Sequence, residues 1–375
     1  MSKRANGDGS VFFRADRKRW CAQLSVNGKP TTRYVKTKDE ASKTLQVLRN
    51  ERDSGMLAMV GKTTVAEWSV EWLDQKKPDL KATTLVRYEH DIRVNIIPLI
   101  GQIKLVDLHR SDVAKIHTTL LGQGKKANTI RHAHRVISGM LQDAMRSDMI
   151  RRNVASLVQP PKIPTRSFNI LDQDESRRLI NVLFNIQDRT LIELALSTGM
   201  RSGEILALRW QDIDFSENCI SIDNTISFPG GGTHVLTSPK TKSSRRKITF
   251  QKTIAKEMNE LRQYQDHRRE MAGDKWHEYG FVFCNDFGRP LTQNGMPRQV
   301  LYPALKRAGV KRIRFHDLRH TCFSHMVARG VAITDISVTA GHANVSTTMS
   351  LYAHPLPGAS NRATSAMEEL MVGAV

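Results

Sequence analysis

Three prolines stand within five residues at Pro160, Pro161 and Pro164, in the run Pro160-Pro161-Lys162-Ile163-Pro164-Thr165-Arg166. Proline fixes φ and donates no backbone hydrogen bond, so no helix or interior strand can pass through such a run. Residues 159–167 therefore read as a stiff, basic interdomain linker. A length of 375 residues suits two or three domains, each large enough to bury its own core.

Before that linker, two patterns follow one another. In residues 1–58, Trp20, Ala22, Leu24 and Val26 alternate with Cys21, Gln23 and Ser25, which is the period of a strand. Asn27-Gly28 is a hairpin signal and Thr31 to Val35 supplies the return strand. Thr37-x-x-Glu40 is a capping box that opens a helix carrying Ala41, Leu45 and Leu48. From Gly61-Lys62 the period changes to helical, with stripes through Trp68 and Trp72, Tyr88 and Ile92, Val113 and Ile116, and Ile130 to Ala144. Thr64-x-x-Glu67 opens the first of these helices, Pro78 breaks it, and Ser111 can cap the third. After the linker, helical stripes alternate with short strands expected at Cys219–Ile222, His234–Thr237 and Arg246–Phe250. The expected fold class is multidomain α+β. It comprises a small three-stranded sheet plus helix (1–58), a four-to-five-helix bundle (62–158) and a mainly helical domain with a small β-sheet (168–360). A tail follows at 361–375.

The formal net charge is +20, and residues 1–58 alone hold thirteen Lys/Arg against six Asp/Glu (13 − 6 = +7). Charge of this size points to a polyanionic partner, DNA or RNA ahead of an anionic membrane. Arg14, Lys18, Arg19 and Arg33 on the small sheet are candidate phosphate contacts. Arg131 and Arg135, beside His134 on the last bundle helix, and Arg166 in the linker join them. A solvated basic face is the plain alternative for each. No apolar run is long enough to span a bilayer, and Met1–Arg4 leads into no signal-peptide core, so the expected location is the cytoplasm. Cys21, Cys219, Cys284 and Cys322 are far apart and read as reduced thiols. No glycine-rich nucleotide loop, HExxH motif or clustered ligand set occurs, so neither a cofactor nor a metal is expected.

Six residues of the third segment carry the chemistry: Arg201, Lys240, His316, Arg319, His342 and Tyr352. None is a carboxylate, and the set suits attack on a phosphodiester by a protein hydroxyl. A tyrosine is a poor nucleophile unless charge is stabilised around it. Arg201 and Arg319 can bind the two non-bridging oxygens and the added charge of a pentavalent transition state. Glu204, three residues beyond Arg201, can orient its guanidinium. His342 can donate to the phosphate, and His316 can accept the tyrosyl proton or steady the phosphate. Lys240, in a basic turn between two strands, can protonate the departing 5′ oxygen, with Lys242 as the rival acid.

The order Arg201, Lys240, His316-x-x-Arg319, His342, Tyr352 resembles the tyrosine recombinase, or phage integrase, family. Thr198-Gly199-Met200-Arg201-x-Gly203-Glu204, Lys240-Thr241-Lys242-Ser243-Ser244-Arg245-Arg246, His316-Asp317-Leu318-Arg319-His320-Thr321, Ala340-Gly341-His342 and Thr348-x-x-x-Tyr352-x-His354 all carry that resemblance, with His354 as a supporting residue. Ala340 stands where leucine is common. The resemblance implies that residues 1–58 form an arm-type DNA-binding domain, 62–158 a core-binding domain and 168–360 the catalytic domain. It implies cleavage through a 3′-phosphotyrosine at Tyr352 and strand exchange by a homotetramer on core-type and arm-type DNA sites. Integration or excision of phage or mobile DNA would follow. A host DNA-bending protein and an excision factor are implied partners, and the bacterial nucleoid the implied setting. The tail at 361–375 would dock on a neighbouring subunit or fold back. Two rivals remain: a type IB topoisomerase-like enzyme, which uses nearly the same residues, and a DNA-binding architectural protein without catalysis.

Overall fold

A computed structural model describes residues 8–26, 29–53, 62–163, 168–230, 233–238 and 244–352. The chain divides into two compact units, 1–165 and 166–375, so the division falls within the proline-rich run.

The first unit holds two separate apolar clusters. One belongs to an antiparallel sheet in the order β1 (Ser10–Arg14), β2 (Arg19–Val26), β3 (Lys29–Val35), covered by α1 (Lys38–Asp53). Ala22 and Leu24 pack against Ala41, Leu45 and Leu48, with Val11, Trp20 and Val35 at the edge. The alternation read from the sequence thus gives one face to the helix. Thr37 opens α1 reciprocally: its hydroxyl accepts from Glu40 N–H and its own N–H donates to the Glu40 carboxylate, both at 3.2 Å.

The second cluster is helical: α2 (Val65–Lys76), α3 (Ala82–His90), a π-helical turn over Asp91–Ile96, α4 (Ile97–Ile100), α5 (Arg110–Gly122) and α6 (Ala127–Arg146). Trp68 and Trp72 bury their rings and tie α2 to α6. The Trp68 indole donates to Met140 O at 3.0 Å and that of Trp72 to Asp143 at 2.8 Å. Ser111 does not cap α5. The helix starts one residue earlier, and Asp112 takes the His109 N–H at 2.8 Å.

The second unit contains α7 (Gln173–Asn181), α8 (Ile186–Thr198), α9 (Ser202–Ile205), β4 (Ile213–Asp214), β5 (Cys219–Ile222), β6 (Thr225–Gly230), β7 (Thr233–Thr237) and β8 (Arg246–Thr249). It continues through α10 (Lys252–Ala272), α11 (Tyr302–Arg307), α12 (Phe315–Ala328), α13 (Ile333–Ala340) and α14 (Val345–Tyr352). The strands form a sheet ordered β4-β5-β8 and a separate hairpin β6-β7. Strand β6 is absent from the sequence reading because Pro229-Gly230 looks like turn material. The hairpin accommodates it by a register shift between Ser227 and Gly230. One large core joins α7, α8, α10 and α11 to the sheet, and a smaller cluster of Cys322, Phe323, Val327, Ile336, Ala340 and Tyr352 lies under α12 to α14. Among the described residues no helix is long and apolar enough to cross a membrane.

Candidate active site

The site is organised by the last turn of α13. This helix ends in Gly341, whose φ of +61° lets the chain reverse. The Gly341 N–H reaches Val338 O at 3.0 Å and the His342 N–H reaches Ser337 O at 3.1 Å, closing a Schellman turn. The next three carbonyls have no helical donors left, and three arginines fill them. Thr339 O accepts from Arg246 Nε at 2.7 Å, Ala340 O from Arg319 Nη2 at 2.6 Å, and Gly341 O from Arg201 Nη2 at 3.1 Å. A helix C-terminus carries partial negative charge, so it is a natural seat for guanidinium groups. The end of α8 repeats the device. Gly199 sits at φ +62° and its carbonyl accepts from Arg319 Nη1 at 2.6 Å.

One carboxylate balances these cations. Glu204, only 4% exposed, accepts from Arg201 Nη1 at 2.8 Å and from Arg246 at 2.9 and 3.1 Å. Burial alone would raise its pKa, but the Arg246 hydrogen bonds and charge, with Arg201, hold it below the ordinary glutamate range. Arg201 keeps about a third of its side chain open to solvent, whereas Arg246 is 5% exposed. Arg201 can therefore meet a ligand, and Arg246 supports it from behind. Arg319 is buried over the Phe323 ring, and burial together with the Arg201 charge lowers its pKa to about 9, still protonated at neutral pH.

His342 completes the arc. Its Nε2 lies 3.1 Å from Arg319 Nη2 and its Nδ1 lies 2.8 Å from the Thr348 hydroxyl. Arginine can only donate, so Nε2 is the acceptor and Nδ1 carries the proton in this state. Burial, then the charges of Arg319, Arg201 and Arg246, lowers its pKa to about 4. His316 lies exposed at the start of α12, yet desolvation by the protein around it and then the Arg319 charge depress its pKa too.

Tyr352 departs from the sequence expectation. It is 6% exposed, and its hydroxyl lies 2.7 Å from His320 Nδ1 rather than on His316. Burial raises its pKa to about 12 against the opposing pull of Arg319. His316 meets this pair at the His320 ring, edge to face with centroids 5.0 Å apart. Lys240, Lys242, His354 and Arg166 lie outside the described residues.

Two residues escaped the sequence reading. Arg246 was visible only as one of two arginines closing a basic turn, and its partner Glu204 is 42 positions away. Its signal was strand period: Arg246 and Ile248 share one face of β8, so an arginine there points inward. His320 read as the residue after Arg319.

The candidate DNA contacts of the first unit separate in space. Register pairs Arg14 with Arg19 and Ala22 with Arg33. Arg14 and Arg19 thus leave the sheet on the face away from α1, and Arg33 on the other. Arg14 is engaged by Tyr34 at 3.2 Å and Asp16 at 3.1 Å, while Lys18 sits exposed at φ 48° in the β1–β2 turn. Arg135 is exposed on α6, but Arg131 is half-buried and donates to Pro161 O at 3.3 Å. His134 is buried, with its Nδ1 3.2 Å from His117 Nε2. Among the described residues no cluster of metal-ligating side chains occurs.

The sequence profile of the phage integrase family matches residues 169–358, and that of the phage integrase N-terminal SAM-like domain matches 64–121. An integrase of Streptomyces ambofaciens is 28% identical over 369 residues, covering 93% of either chain. A tyrosine recombinase XerC-like protein of Caldanaerobacter subterraneus subsp. tengcongensis is 27% identical over 360 residues, covering 90% of this chain and 91% of its own. The fold is shared with the Tn1549 transposon integrase solved with transposon right end DNA, at TM-score 0.70 and 20% identity over 82% of this chain and 100% of that one. It is shared also with the lambda integrase tetramer bound to a Holliday junction, at TM-score 0.55 and 16% identity over 92% and 96%. Fold and matches together define a site-specific tyrosine recombinase. The chain belongs to the phage integrase family.

Proposed function

We propose that this recombinase binds double-stranded DNA and that Tyr352 is the nucleophile that joins it to a 3′ phosphate. The observation that carries the reading is the set of three arginines gathered on the last turn of α13, with His342 beside them and one carboxylate among them. Arg201 and Arg319 bind the non-bridging oxygens. Anion binding there draws Arg319 from His342 and raises the imidazole's pKa, so that His342 turns from acceptor to donor. Tyr352 leaves His320, its proton passes to the neutral His316, its oxygen attacks phosphorus, and the 5′ oxygen departs with a proton from Lys240 or Lys242. The phosphotyrosine keeps the bond energy for religation, so no nucleotide is consumed. Preorganised cations of this kind supply most of the stabilisation such a transition state needs.

On this reading residues 1–58 serve as an arm-type DNA-binding domain, 62–158 as a core-binding domain and 168–360 as the catalytic domain. Four copies act on core-type and arm-type sites of phage or mobile DNA, and a host DNA-bending protein and an excision factor assist. Residues 361–375 serve contacts between or within subunits. The net charge of +20 supports a DNA partner. The shared fold of the Tn1549 integrase solved with transposon right end DNA, and of the lambda integrase tetramer bound to a Holliday junction, supports the assembly.

A nicked suicide substrate tests the nucleophile. Tyr352→Phe should abolish covalent capture while leaving DNA affinity within about twofold, and wild-type capture should persist in EDTA. Capture by the phenylalanine variant would reject Tyr352.

A further inference from the structure

His320 has no part in the chemistry above, yet it is the group to which the Tyr352 hydroxyl is bonded. The imidazole is 6% exposed and boxed in. The Phe168 ring stacks on it with centroids 3.8 Å apart and planes 27° apart, and His316 meets it edge-on. Burial and the neighbouring His316 lower its pKa to about 4, so at neutral pH it is uncharged. With the proton on Nε2, Nδ1 accepts and the phenol donates. Tyr352 itself lies in the apolar cluster with Cys322, Phe323, Val327, Ile336 and Ala340. A buried hydroxyl without a partner is costly, so one histidine decides whether this buried position is stable.

The ring that holds His320 belongs to the chain entering the second unit. Phe168 is the first described residue after 164–167, and three residues on that chain is fastened to α12. The Leu171 N–H donates to the Thr321 hydroxyl at 3.1 Å, and Leu171 O lies 3.0 Å from His325 Nε2. Phe168, His320 and Tyr352 therefore form a continuous row from the incoming segment to the nucleophile.

We propose that His320 is a positioning residue that holds Tyr352 retracted in the DNA-free enzyme, with Phe168 fixing the imidazole from the incoming chain. The proposal rests on Tyr352 being the nucleophile. Withdrawal of the hydroxyl from His320 is then the step that arms the enzyme, and it limits cleavage wherever assembly does not drive it.

Single-turnover covalent capture on an isolated nicked core site reads this step. His320→Leu, which removes the acceptor, should speed capture about fivefold or more. His320→Asn should stay near the wild-type rate, because its amide oxygen can take the place of Nδ1. Phe168→Leu, which loosens the imidazole but keeps the bond, should fall between them. In free enzyme labelled with 13Cζ-tyrosine, the Tyr352 resonance, assigned by its loss in Tyr352→Phe, should titrate at lower pH in His320→Leu but not in His320→Asn. Equal slowing by Leu and Asn would mean a structural or proton-accepting role and overturn the retraction. Unchanged rates and titration would overturn it as well. Capture by Tyr352→Phe would instead overturn the nucleophile assignment, so the two failures are distinguishable.

Discussion

Arg246 shows how a buried residue can hold a site together from behind its exposed members. Its guanidinium spends its donors on Glu204, Thr339 O and Ser244 O, all within the protein. Removing one member of a buried charge pair typically costs about 3–5 kcal/mol, because the remaining charge keeps its desolvation penalty. Arg201 would still face Glu204, but from a partly exposed position. We therefore expect Arg246→Ala to lower stability by several kcal/mol in urea unfolding and to reduce covalent capture at least tenfold. Arg246→Lys should recover little of either, since one ammonium cannot span both Glu204 oxygens and the Thr339 carbonyl. Full activity in the lysine variant would show that only the charge matters. At this scale the sequence was legible where partners are local. Glu204 is three residues from Arg201 and shares its turn, so the pair could be read directly. The bonds from Arg246 to Glu204 and from His320 to Tyr352 join distant positions, and no spacing rule reaches them.

At the scale of elements, two helix ends do the gathering. Arg319 is held between the ends of α8 and α13, and their glycines serve geometry rather than flexibility. A Cβ on Gly341 would lie 2.9 Å from Arg246 Nη1, and the residue's φ of +61° is unfavourable for any other side chain. Gly341→Ala should therefore displace Arg246 and misplace the carbonyl that Arg201 uses. The expected outcome is a fall in capture of about tenfold or more, with far-UV circular dichroism unchanged and a modest loss of melting temperature. Wild-type capture by this variant would show that the α13 terminus does not set the arginines. The bundle helices and the two Thr-x-x-Glu capping boxes were readable beforehand because apolar period and that spacing are local signals, whereas the box at Asp172 went unread. The carbonyls that seat the arginines carry no side-chain signature, so the frame of the site was invisible in the sequence even though Arg201, Arg319 and Glu204 were not.

For the whole molecule, burial of histidine sets an acid limit. His117, His132, His134, His316, His320 and His342 all have pKa values lowered chiefly by desolvation, the first three in the helical bundle and the others around the site. In the unfolded chain each returns to about 6.5. Below that pH the unfolded state takes up protons that the folded state refuses, so unfolding becomes easier as pH falls. A well-buried histidine contributes up to about 1.4 kcal/mol per pH unit within its window, and the exposed His316 contributes less because solvent screens it. For His320 and His342 that window runs from 6.5 down to about 4, and above 6.5 their contribution is complete and flat. Glu257 opposes the trend: burial and the neighbouring Glu193 raise it to about 7, so it binds its proton preferentially when folded, and Asp188 and Asp212 shift the same way. Glu204 and Asp317 are held low and lose their stabilisation only below the ordinary carboxylate range. Between pH 7 and 5 six histidines outweigh three carboxyl groups, so melting temperature should fall by about 5 °C or more, given that 1 kcal/mol moves a domain of this size by about 2–4 °C. Scanning fluorimetry across that range checks it. A flat or rising profile would mean that the histidines are hydrated in solution, and the neutral states of His320 and His342 would no longer stand.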